Sequence, residues 1–128
     1  MFRFAQSGRY FLLLLVLLVS PVANALISDQ PVWYGKDANG QTVIHLYFFW
    51  SKKCPHCLKA RPDIIKLEQD YPWLKLHSLE LVDHPENIQT YISMAETFGS
   101  DARSVPTFMF CGNLLSGYES EESTGRLL

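Results

Sequence analysis

The run Val43-Ile44-His45-Leu46-Tyr47-Phe48-Phe49-Trp50 is almost unbroken β-branched and aromatic sequence, and Cys54-Pro55-His56-Cys57 follows it closely. A strand this apolar needs cover on both faces, so it belongs at the centre of a sheet. The residues after the cysteines have a helical pattern, which puts the pair where a strand gives way to a helix. Two cysteines spaced Cys-x-x-Cys at a helix N-terminus can close a disulfide across one turn. The unpaired backbone N–H groups there stabilise a thiolate on the first of them. Cys54 is therefore the expected nucleophile, and Cys57 resolves the mixed disulfide that Cys54 forms; run in reverse, the same pair hands a disulfide to a substrate. His45 is the odd member of the strand and reads as a hydrogen-bonded structural residue.

A chain of 128 residues, 48% of them hydrophobic, fits one small domain and a leader. Residues 1–25 have the parts of a secretory signal: Arg3 and Arg9, the apolar run from Tyr10 to Val19, Pro21, and the small-residue site Ala23-Asn24-Ala25. The apolar run is too short to span a bilayer. Cleavage near Ala25 is expected, leaving residues 26–128 as the domain in an exported, periplasmic setting where disulfides persist. Both leader arginines fall outside that domain, so it is more acidic than the formal charge of -2 for the whole chain, and no basic nucleic-acid footprint is present. Three cysteines are too few to staple a miniprotein.

Along the domain, Asp37-Ala38-Asn39-Gly40 marks a turn across which Val32–Gly35 can pair as a strand. Leu58–Tyr71 is helical, with Pro62 expected to bend it and Pro72 to help end it. Leu74–Val82 alternates as a second core strand. Asp83 is expected to cap a helix from about Pro85 to Phe98, with Ile88, Tyr91, Ile92, Ala95 and Phe98 on its apolar stripe and Gly99 at its stop. Phe108–Cys111 and Leu114–Tyr118 then flank a Cys111-Gly112-Asn113 turn as a hairpin. Cys111 reads as a small buried apolar side chain. Ser120 is expected to cap a helix with barely two turns of sequence before Leu128.

From Val43 onward these residues resemble the thioredoxin superfamily. Trp50, Cys54 and Cys57 meet its Trp-x-x-x-Cys-x-x-Cys order, Pro62 its helix proline, and Val105-Pro106-Thr107 its Val-Pro-Thr ahead of a hairpin. The resemblance implies an α/β fold with a mixed central sheet flanked by helices, here with a short or truncated C-terminal helix. It implies Pro106 as a cis-proline, with Val105 beside the nucleophile to pair with substrate, and Trp50 at the substrate surface. It implies a thiol-disulfide oxidoreductase whose working form is a Cys54–Cys57 disulfide, with protein thiols or disulfides as substrates, a redox partner, and no cofactor or metal.

Pro55-His56 is the dipeptide of DsbA-like disulfide oxidases, so the oxidase direction is favoured, with His56, Lys52 and Lys53 adding positive field around Cys54. The chain departs from that family in two places. Cys57 and Pro106 are too close to hold the helical insertion of the DsbA enzymes. Phe48 stands where the family places a buried acid, a role Glu80 on the neighbouring strand could take unless it is a structural carboxylate. The short last helix suggests a fragment of a longer protein, and similar modules precede membrane-embedded sequence, which implies a membrane partner or fused domain.

Two alternatives follow from the same residues. One is a periplasmic thioredoxin-like reductase or isomerase, of the kind that serves cytochrome c maturation. The other is a copper-binding protein in which Cys54 and Cys57 act with His56 or Cys111. A structural zinc site is disfavoured, since it wants four ligands and no second Cys-x-x-Cys exists, and Leu58 stands where haem attachment needs histidine.

Overall fold

The computed structural model describes residues 31–128; the predicted leader and its cleavage site near Ala25 lie outside the described residues. Strand β1 (Tyr34–Lys36) leads through a turn into β2 (Thr42–Trp50), followed by helix α1 (Pro55–Asp70), β3 (Leu74–Glu80), α2 (Glu86–Glu96), and the hairpin of β4 (Thr107–Phe110) and β5 (Asn113–Ser116). The turn closes because the Asp37 carboxylate accepts from the Asn39 and Gln41 amides at 2.9 and 2.8 Å. No helix among the described residues is long and apolar enough to cross a membrane.

β2 pairs in parallel with β3 and antiparallel with both β1 and β4. A strand has two edges, so two of these three partners must share one. β1 lies opposite Thr42–Ile44 and β4 opposite Leu46–Phe49, end to end, whereas β3 runs along Ile44–Trp50 on the other edge. The fold is thus a five-stranded mixed sheet with two helices, and β2 is its centre.

The two-residue period of the strands sorts their side chains between the helices. Leu46 and Phe48 of β2 join Phe108 of β4 and Ala60 and Ile64 of α1 in one buried cluster. Phe49 and Met109 join Tyr91, Met94 and Ala95 of α2 in another. Each helix therefore covers one face, and burying a large side chain of this kind stabilises by about 1.5–3 kcal/mol. His45 is paired as a structural residue, its Nδ1 lying 2.7 Å from His77 Nε2. Burial, with His45 and Lys75 nearby, holds His77 below the ordinary imidazole value.

Several expectations are corrected here. Asp83 does not cap α2; its carboxylate pairs with Lys52, and α2 starts after Pro85 without a side-chain cap. The buried stripe of α2 is Tyr91, Met94 and Ala95, and Ile88 is exposed. Cys111 is exposed rather than buried. It and Gly112 form the whole loop between Phe110 and Asn113, with φ of 46° and 74°, because a two-residue type I′ turn needs positive φ at both positions. Ser120 caps a turn rather than an α-helix: its Oγ accepts from the Ser123 amide at 3.2 Å, and the segment ends in a short 3-10 helix, Gly125–Leu127. Pro62 lies inside α1, which continues to Asp70.

Candidate active site

Between β2 and α1 the chain makes a tight turn over Ser51–Cys54. The Ser51 carbonyl accepts from the Cys54 amide at 3.0 Å, and Ser51 Oγ from the Lys53 amide at 3.1 Å. That turn leaves Cys54 extended, with φ -97° and ψ 114°, as the N-cap of α1. Pro55 opens the helix, where its missing N–H satisfies nothing and its fixed φ already fits. The Cys57 amide, one of the helix's otherwise unpaired donors, points back to Cys54 Sγ at 3.3 Å. The sulfur thus sits at the positive end of the helix dipole with an N–H aimed at it.

Both sulfurs are free thiols in this structure, and they differ in access. Cys54 is half-buried, whereas Cys57 is buried under the first turn of α1. Burial first, and the adjacent Cys54 second, push the Cys57 thiol up to about 12. It therefore holds its proton at neutral pH. The arrangement offers one sulfur to a partner and keeps the other protonated behind it.

The second wall comes from the far end of the sheet. The Val105 carbonyl lies 3.5 Å from Cys54 Sγ, in hydrogen-bond reach of the thiol. The Val105–Pro106 peptide is cis. Its surroundings are pinned from both sides: Tyr91 Oη donates to the Ser104 carbonyl at 2.5 Å and sits 2.9 Å from Thr107 Oγ1, and the Gly117 amide donates to the Pro106 carbonyl at 2.8 Å. Gly117 has φ 88°, which a side chain would resist. A groove of about 400 Å³ is lined by His56, Val105, Pro106, Gly117 and Tyr118 among others.

The structure thus brings together Cys54, Cys57 and Val105, with His56 and Pro106 on the adjoining groove. Trp50 is not among the residues that line this groove. Its indole N–H donates to Ser78 Oγ at 2.9 Å, and Arg61 lies 5.1 Å over its ring, against the flank of α1. Lys52 spends its charge on Asp83. Lys53 and His56 remain exposed at the helix start. The sequence reading missed Tyr91 as an anchor of the Val105 loop; its place on an apolar helix stripe showed only its ring.

Phe48 is fully buried, stacked 5.0 Å from Phe108, so no acid approaches Cys57 from that position. Glu80 is buried too, but its carboxylate is already engaged. Oε1 accepts from the Lys52 amide at 3.0 Å, and Oε2 from the Val82 and Asp83 amides at 2.8 and 2.5 Å. Burial alone would raise its pKa; the backbone donors outweigh it and hold the carboxyl below the usual range. Glu80 is the structural carboxylate of the two alternatives. Among the described residues no group of three or more His, Cys, Asp or Glu side chains is placed to hold a metal, so Cys54 and Cys57 do not form such a set with His56 or Cys111.

No protein-family model matches this chain, and no curated protein matches it.

Proposed function

We propose that this chain is a thiol-disulfide oxidoreductase of thioredoxin type, exported and acting on protein substrates through a Cys54–Cys57 disulfide. The observation that carries this reading is the asymmetry of the two sulfurs: an accessible Cys54 capping a helix, and a buried Cys57 whose amide points at it. In the oxidase direction a substrate thiolate attacks Cys54 Sγ of the disulfide, the S–S bond breaks, and Cys57 leaves with the electron pair and takes up a proton. A second substrate thiolate then attacks the substrate sulfur of the mixed disulfide. The substrate disulfide forms and Cys54 departs as a thiolate. Two electrons pass from substrate to the pair, and a separate redox partner, membrane-embedded or soluble, must remove them.

The groove at His56, Val105 and Pro106 gives a substrate segment room to lie beside Cys54. Direction rests on how far the thiolate is stabilised, because stabilising the reduced form makes the disulfide more oxidising. Pro55-His56, with exposed Lys53, supports the oxidase direction over the reductase or isomerase alternative.

Equilibrating the pair with glutathione tests this. An oxidase gives a potential toward about -120 mV, whereas a value near about -270 mV makes the protein a reductase. Failure to form the Cys54–Cys57 disulfide at any poise ends the proposal.

A further inference from the structure

Cys54 is reached by a short turn that carries its own helix cap, and the question is what keeps that turn in place. Its internal bonds, from Ser51 to Lys53 and Cys54, are local. Apart from the Cys54 Sγ contact with the Val105 carbonyl, its ties to the rest of the fold converge on the end of β3. Glu80 Oε1 takes the Lys52 amide, the Lys52 ammonium pairs with Asp83, and the Trp50 carbonyl accepts from the Leu81 amide at 3.0 Å. Glu80 is itself fixed, since Oε2 holds two further amides of the β3 exit. Its backbone carbonyl receives Asn87 Nδ2 at 2.9 Å, which links the same corner to α2.

We propose that Glu80 is a positioning residue for Cys54: its carboxylate clamps the Lys52 amide to the exit of β3, and so holds the nucleophile where the Cys57 amide can stabilise it. This rests on the oxidoreductase reading for its purpose. The geometry it describes is a property of the thiol and can be read without any substrate.

Glutamine at position 80 keeps the shape but has one oxygen and an NH₂ group, so at least one of the clamped amides faces a donor instead of an acceptor. The turn loosens, and Cys54 loses part of a charge-assisted hydrogen bond. Loss of the carboxylate charge itself has the opposite sign, because a negative charge opposes a thiolate in its neighbourhood. The two effects are therefore separable. The experiment is the pH profile of Cys54 alkylation by iodoacetamide, in a Cys111→Ser background, for the wild type, Glu80→Gln and Glu80→Asp.

A positioning role gives a profile displaced to higher pH in E80Q, with the rate at pH 7 reduced by roughly threefold to tenfold, part of what a hydrogen bond to a charged group is worth. E80D, which keeps the charge but shortens the reach, shifts the same way. A profile that is unchanged in both variants, or moved to lower pH in E80Q, overturns the proposal. If E80Q does not fold, E80D alone decides between shift and no shift. A wild type that alkylates normally yet never exchanges disulfides removes the oxidoreductase reading and leaves the clamp standing.

Discussion

Cys57 releases its proton only in strongly alkaline solution, because burial and the neighbouring Cys54 both oppose a thiolate there. In the unfolded chain the same thiol titrates near its ordinary value of about 9. The folded, reduced protein therefore binds this proton more tightly than the unfolded chain does. The stability linked to it is complete below about pH 9 and is lost as pH rises through the folded value near 12. Denaturant midpoints of the reduced wild type should thus fall more steeply across that interval than those of Cys57→Ala, with the difference between the two as the readout. Tyr118, whose hydroxyl donates to Asp63 at 2.5 Å and whose pKa is also raised, titrates in both proteins and cancels in that difference.

The β4–β5 hairpin shows how an element can be legible while its residues are not. Alternating apolar runs around a short polar break announced a hairpin, but only the register of Phe110 against Asn113 makes the loop Cys111-Gly112. Burial of Cys111 was read from its apolar neighbours, and the turn geometry overrode them by turning the residue out to solvent. A non-glycine residue at φ 46° is strained, and asparagine tolerates that conformation better than cysteine. Cys111→Asn should accordingly raise stability in thermal unfolding, by part of the roughly 1–2 kcal/mol that the left-handed region costs an ordinary residue. The same distinction holds at the site. Its two sulfurs were legible because their spacing encodes one helical turn. The engagement of Glu80 and the aim of Trp50 were not, since each depends on partners 28 residues away that only the parallel register of β2 and β3 brings near.

At the scale of the molecule, the sheet divides the interior into two cores, and the buried residues of α1 are Cys57, Ala60 and Ile64, of which only Ala60 and Ile64 belong to its core cluster. Ile64→Ala should cost about 2–5 kcal/mol by equilibrium denaturation, a large share of what a small domain has. Because α1 carries Cys57 and is capped by Cys54, the same variant should also make Cys57 accessible to thiol reagents before global unfolding. The order of the elements has one more result. Cys54 and the Val105 carbonyl beside it are 51 residues apart in sequence, with β3 and α2 between them. In a chain made from its N-terminus, both thiols exist for the time it takes to synthesise those elements before their facing wall does. For that interval they are open to whatever oxidant or thiol surrounds the growing chain, and the wall that faces Cys54 arrives only with about the last fifth of the protein.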